Sequence, residues 1–405
     1  MPRFALRRLA LASLFLTLTC AGPAAADYLP PYSLFGGQGV TLGISNVTGV
    51  VASNADISIQ GFSSFGGLVG GGSLVATGLG SQAVGGPVTF NGGVTLGSAT
   101  VAGPVSSGST VVVGQGATIG GPIAAAGSVT VQSNSTVNGN IAAGRGVAIQ
   151  SGATVNGNVG ANGSATVFGT VNGNVTYGQG LNVNSGFNSG QIRGTATQGT
   201  TSVNPTSYAP IQLATIGNVV AGGSTVTSGG TAAQPLAPGT YGALNLGFFS
   251  NLYLTAGNYY FSSFNFSGSS INYLNVGPNS HINIFVAGDV FENTFASTTV
   301  NGQAFAQADA SLAADVALEA LGNITLTGAG NSFGLLYTPT GDISINGNES
   351  ITGQVLAGGT VYAAGGVTLN YVPAAAPVPE PASLVLLAVG GGLALGVARR
   401  RRRRR

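Results

Sequence analysis

The sequence predicts an all-β protein, a parallel β-solenoid of about 18 residues per coil in two stretches, followed by a C-terminal transmembrane helix. Three observations carry this. First, short starts recur in phase: Gly86-Pro87-Val88, Gly103-Pro104-Val105, Gly121-Pro122-Ile123, Gly139-Asn140-Ile141, Gly157-Asn158-Val159 and Gly173-Asn174-Val175. A fixed period marks stacked units that cannot bury a core alone. Second, apolar residues inside a unit come in alternating pairs about six apart, as Ile141 with Ala143, Val147 with Ile149 and Ala153 with Val155. Alternation over three residues makes a very short strand with one face inward, and the intervening Gly, Asn-Gly and Ser-Gly supply corners. Third, residues 382–398 form an apolar run of 17 residues that ends on seven arginines. At 1.5 Å per residue such a helix is roughly 25 Å long, the short end of what spans a bilayer.

Taken in order, residues 1–26 read as a signal peptide, with Arg3, Arg7 and Arg8 ahead of the apolar residues 9–18 and small residues Ala24 and Ala26 at the cleavage positions. Cys20, the one cysteine, lies in the part removed, so no intramolecular disulfide is expected. Residues 27–184 carry the first solenoid stretch. Residues 185–238 are rich in Ser, Thr and Gly, hold Pro205, Pro210, Pro235 and Pro238, and lose the periodic pairs, which predicts a linker or an excursion over the rod. Within them residues 211–220 allow one short helix. The second stretch covers 239–372, where Gly322-Asn323-Ile324, Gly341-Asp342-Ile343 and Gly359-Thr360-Val361 return to the phase. Residues 303–321 are alanine-rich enough for helix, although 315–321 alternate equally well as strand. Residues 373–381 form a linker, 382–398 the membrane helix, and 399–405 an arginine tail held in the cytoplasm by the positive-inside bias. Asn138, Asn156 and Asn172, each followed by glycine, have two readings: turn residues in the left-handed region, or an amide ladder along the rod. The pattern does not decide handedness.

The tail resembles a PEP-CTERM sorting signal: Val378-Pro379-Glu380-Pro381, then the apolar run, then Arg399, Arg400 and Arg401 as stop-transfer residues at the head of the basic cluster. The resemblance implies an exosortase, an integral-membrane processing enzyme, as partner. It also implies export, transient anchoring in the inner membrane through the C-terminal helix, and delivery to the cell surface or extracellular matrix. An ordinary C-terminal anchor that contains Pro-Glu-Pro would give the same topology. In the second stretch Gly-Asn-Tyr-Tyr-Phe-Ser-Ser-Phe-Asn-Phe (257–266), Ile-Asn-Ile-Phe-Val-Ala-Gly-Asp-Val (282–290), Phe-Gly-Leu-Leu-Tyr-Thr-Pro (333–339) and Ile-Thr-Gly-Gln-Val-Leu-Ala-Gly (351–358) resemble choice-of-anchor A type β-helical surface modules. That resemblance implies display rather than chemistry. Composition and irregular spacing resemble bactofilin-like or adhesin-like rods.

Charge narrows the function. Residues 27–378 hold two arginines, no lysine and nine acids, a net charge of −7, so nucleic-acid binding loses its electrostatic basis. His281 is the one histidine, which leaves metal sites and Ser-His-Asp catalysis on a single residue; a solvated turn position accounts for it. Asp289 and Glu292 are the closest acid pair, and three residues apart on a strand they face opposite sides. No catalytic residue, metal ligand set or cofactor is expected. Fourteen of the thirty Phe and Tyr residues fall in residues 241–305. They stack as core from coil to coil, or some form an outward ladder for sugar rings, with Tyr259, Tyr260 and Phe264 as the candidates for polysaccharide contact. The expectation is an exported, non-enzymatic structural or adhesive protein associated with exopolysaccharide. The alternatives are a polysaccharide- or ice-binding module and, further off, a polysaccharide-active β-helix enzyme.

Overall fold

The computed structural model describes residues 29–374, apart from 79–81, 185–190, 218, 279 and 295–296. Ala24, Ala26, Val378, Pro379, Glu380, Pro381, Arg399, Arg400 and Arg401, with the apolar run 382–398, lie outside the described residues. Among the described residues no helix is long and apolar enough to cross a membrane.

Leu29–Ala375 is one compact unit, an all-β parallel solenoid whose coils each present three short strands. The local reason is the alternation. In Val147–Ile149 the outer two side chains are 2% and 1% exposed while Ala148 faces out. Each such pair of buried aliphatic side chains contributes roughly 3 kcal/mol or more of burial free energy, which a three-residue strand needs because its backbone is paired only by the coils above and below. Residues stack in register: Val111 on Val129, Val129 on Val147 and Val147 on Ala165. Three faces result. The first contains Val105–Ser107 and Ile123–Ala125, the second Val111–Val113 and Val129–Val131, the third Ala99–Val101 and Thr118–Ile119. The second face is a sheet of 15 strands running from Leu181–Val183 to Leu244–Leu246, about 67 Å at the usual strand spacing.

The stacking order is not the chain order. Leu34 pairs with Val51 ahead of it and with Val355 behind it. Val40 lies between Ile57 and Val361, and Ser45 between Ser63 and Val367. The coils of the second sequence stretch therefore run directly into those of the first, and the two ends of the described chain meet on the flank of the rod near its middle. Buried Gln354 clasps them there: its Nε2 donates to the carbonyls of Pro30 (3.1 Å) and Tyr32 (2.8 Å), and its Oε1 accepts from Ala374 N–H (2.9 Å).

This order requires the chain to travel back along the rod after Ala196–Gln198, and residues 199–226 do so as a strap over the first face. Thr201 N–H donates to Asn162 Oδ1 (2.8 Å), Ser106 Oγ to Thr206 O (3.1 Å), Tyr208 N–H to Asn91 Oδ1 (2.8 Å) and Ile211 N–H to Asn54 Oδ1 (2.8 Å). Further on, the Tyr337 hydroxyl donates to Ala214 O. Gly160 is the close approach: a Cβ there would stand 2.5–2.8 Å from Thr201 side-chain atoms. Ile211, Leu213 and Ile216 of the strap pack on a second apolar cluster of Phe35, Ala52, Leu335, Tyr337 and Leu356, on the outside of the coil. The helix that the sequence allows over 211–220 is absent among the described residues; rod side chains take Ile211 N–H and O, both bonded by Asn54, and Ala214 O, bonded by the Tyr337 hydroxyl. Residues 303–321 divide into the 3-10 turns Phe305–Gln307 and Ala310–Asp315 and the strand Val316–Ala320, whose pairing with Ile282–Val286 outweighs helix propensity. At the far end Val226, Gly229 and Leu236 bridge to Leu244, Leu252 and Leu254. The irregular coil 222–238, with Pro235 and Pro238 unable to donate, closes that edge.

Candidate functional site: an uncharged groove and threonine column

The strap occupies the outside of the first face, and the third face presents the most regular exposed chemistry. Its outward column stacks in register as Thr368, Asn46, Ser64, Ala83, Thr100, Thr118, Thr136, Thr154, Thr170 and Gln191. Nine steps span about 43 Å. The six threonines are exposed or partly exposed, each between two buried neighbours. Two positions on lies a second column in which Asn156 Nδ2 donates to Asn138 Oδ1 (2.8 Å) and Asn172 Nδ2 to Asn156 Oδ1 (2.6 Å). These asparagines form the amide ladder. The described non-glycine residues with positive φ are Asn134, Phe249, Asn275 and Asn301, so the left-handed turn reading of Asn138, Asn156 and Asn172 is set aside. At the next corner Asn140 Oδ1 accepts from Asn158 N–H and Asn158 Oδ1 from Asn174 N–H, both 2.8 Å. Side chains bonded from coil to coil are held in one rotamer, and the surface is rigid as well as periodic.

At its mid-rod end the column enters a groove of 420 Å³ between Ile44 and Phe62, with Asn46, Ser64 and Thr368 on its walls. Ile44 is 55% and Phe62 59% exposed, uncommon for side chains of that size. Ser45 also lines the groove, is nearly buried, and its hydroxyl has no hydrogen-bond partner; two strands along the same inward column, both amide atoms of buried Gln82 are likewise unpaired. Sequence reasoning missed this groove. The signal was present as Gly43-Ile44-Ser45 and Gly61-Phe62-Ser63, one coil apart. The threonines repeat across coils, not along the chain, so a search for Thr-x-Thr passes over them.

The residues singled out from sequence are placed as follows. Tyr259 and Phe264 are 0% and 1% exposed and point into the coil, so neither can touch a polymer; this corrects their assignment as contact candidates. The reason is packing: Tyr259 lies in the core, and its hydroxyl bonds Leu236 O and Thr255 N–H at 3.0 Å. Phe264 meets Phe261 edge to face (5.7 Å) and stacks on Phe266 (6.1 Å). Tyr260 faces out, partly exposed, against Phe285 (5.1 Å, 16°). His281 is not a solvated turn residue: its Nδ1 lies 3.0 Å from Asp315 Oδ1. Asp289 is an exposed corner residue whose Oδ1 accepts from Asn323 N–H (2.8 Å), while Glu292 is buried. Burial, and then the charge of Glu292, push the Tyr273 hydroxyl above its ordinary range. Asp289 and Glu292 do not converge on one surface. Among the described residues no group of three or more His, Cys, Asp and Glu side chains could hold a metal ion.

Comparison with known proteins finds two family-model matches. Residues 111–208 match the family model described as Bactofilin, polymer-forming cytoskeletal, and residues 377–404 match the PEP-CTERM protein-sorting motif. No match is found among curated proteins. Solved structures with some similarity include an ice binding protein from an Antarctic bacterium, Flavobacteriaceae (16% identity, 86% of this chain and 98% of that one, TM-score 0.26). Another is a possible adhesin C-terminal domain from Caldicellulosiruptor kronotskyensis (12%, 89% and 96%, 0.33). A third is the Tapirin C-terminal domain from Caldicellulosiruptor kristjanssonii (12%, 89% and 97%, 0.27). Superpositions this loose place no residue of this chain on a site of theirs. What the chain does carry is a PEP-CTERM sorting motif at residues 377–404 behind a β-solenoid.

Proposed function

We propose that the protein is an exported, non-enzymatic rod of the cell surface or extracellular matrix, sorted through its C-terminal motif and associated with exopolysaccharide. The observation that carries this is the joining of a sorting motif at 377–404 to a long rod whose exposed third face is built from hydroxyls and amides. An exosortase is the processing partner, and the apolar run 382–398 holds the chain in the inner membrane until processing. Placement of the acids supports a binding rather than a catalytic role. General acid-base work needs two titratable groups aimed at one bond, whereas Asp289 is exposed and engaged at a corner and Glu292 is buried.

The test is made on cells that carry an exosortase. Intact-mass analysis of protein from the surface and matrix fractions is expected to show a chain lacking residues 1–26 and 399–405, and exosortase deletion is expected to leave the tail in the membrane fraction. Surface protein that retains Arg399 to Arg405, or distribution unaltered by the deletion, overturns the proposal.

A further inference from the structure

We propose that the groove at Ile44 and Phe62, with the threonine column leading from it, binds one chain of a neutral polysaccharide lengthwise along the third face. This rests on the surface-rod reading above and names its ligand and contact face. Two independent features point the same way, the chemistry of the groove and the absence of charge along the column. The groove joins an apolar shelf, Phe62 and Ile44, to the amide of Asn46 and the hydroxyls of Ser64 and Thr368. A sugar ring has the matching division: a C–H face that gains from burial against an aromatic ring, and a rim of hydroxyls that must be hydrogen-bonded when desolvated.

Electrostatics then selects the ligand class. From Asp56 to Asp289 the only charged residues are Arg145 and Arg193. Arg145 lies between the strands Ile141–Ala143 and Val147–Ile149, at the corner of the first and second faces, and Arg193 at the last coil. The ten-residue column itself carries no charge, on a chain whose residues 27–378 are net negative. An acidic polymer finds one cation, Arg193 at the far end of the track, and a repulsive overall field; a neutral one meets hydrogen-bonding groups along the whole column. Hydroxyls repeating at strand spacing hold an extended polymer without bending it, and the Asn138, Asn156 and Asn172 ladder beside them, bonded from coil to coil, lowers the entropy lost on binding. The apolar shelf separates this from a surface that orders water, which would have no use for an exposed Phe62 at the head of the track.

The experiment uses full-length protein in detergent, mixed with insoluble cellulose, chitin and β-1,3-glucan, with alginate beads as the acidic comparison. Wild type is expected on at least one neutral polymer and not on alginate. Phe62→Ala, and separately Thr136→Val with Thr154→Val and Thr170→Val, are expected to weaken retention about tenfold, the loss of one or two net hydrogen bonds or of the shelf. Valine keeps the branched shape of threonine, and an unchanged melting temperature shows that the rod is intact. Wild-type retention by both intact variants refutes the site while leaving the surface-rod reading in place. Absence of retention on every neutral polymer refutes the ligand class, and the processing assay then decides the surface reading separately. Retention on alginate alone, or ice-growth inhibition that the threonine variant loses with no neutral polymer bound, assigns the face to another ligand and overturns the proposal.

Discussion

At the residue scale the rod depends on which side of a three-residue strand each side chain takes. Val147 is 2% exposed and in register with Val129 and Ala165. Val147→Asp therefore buries a charge with no partner and is expected to cost on the order of 4 kcal/mol, spread over several coils because each pairs only with its neighbours. Ser151→Asp, at the next corner and partly exposed, is expected to be nearly silent, and equal melting temperatures for the two would refute the phase. Glu349 is the opposite case, a charge the fold already buries. It accepts from Gly330 N–H (2.9 Å) and Ser332 Oγ (3.0 Å), yet burial outweighs these bonds and holds its carboxyl above the ordinary 4.5. A raised value means that the folded state binds the proton more tightly than the unfolded state. The stabilisation is thus complete below 4.5 and is lost as pH rises through the folded value. Glu349→Gln keeps an acceptor for Gly330 N–H and lets its amide N–H donate to the Ser332 hydroxyl, and is expected to flatten the fall in melting temperature on going from acid toward neutral pH. A variant with the wild-type slope would show that Glu349 is not its source.

At the scale of elements the strap decides most. The strap, without regular structure among its described residues, is held because the rod offers side-chain partners at intervals along its path, and Asn54 offers most: Nδ2 donates to Ile211 O (2.6 Å), and Oδ1 accepts from Ile211 N–H (2.8 Å) and the Tyr208 hydroxyl (3.0 Å). Asn54→Ala leaves these groups unpaired and is expected to cost about 1–3 kcal/mol. It is also expected to open residues 205–211 to limited proteolysis before the coils unfold; simultaneous cleavage of strap and coils would show that the strap is not a separate unit. The sequence marked this segment as different by its prolines and lost periodicity. It could not show where the segment lies, because Asn54, Asn91 and Asn162 read as ordinary corner residues until the rod brings them beneath it. The aromatic cluster shows the same limit: alternation puts Tyr259 and Tyr260 on opposite sides of a strand, but not which side is core.

For the molecule as a whole, the seam is the feature with the farthest consequences. Gln354 bonds Tyr32 across 322 residues of sequence, so closing the rod requires contacts that form only after both stretches exist, a topology that folds slowly. It also sets the lengthwise order, so that the groove is assembled from Gly366, Val367 and Thr368 on one side of the seam and Ile44, Phe62 and Ala83 on the other. By itself the sequence determined the all-β class, the coil of about 18 residues, the inward aliphatic pairs of the first stretch and the sorting motif, because each is written in local spacing and composition. Only the tertiary structure decided the order of the coils, the path of the strap and the groove. Every coil edge offers the same backbone donors and acceptors at the same spacing, so pairing alone cannot say which coil stacks on which. That choice comes from side chains that meet across the seam, hundreds of residues apart in the chain.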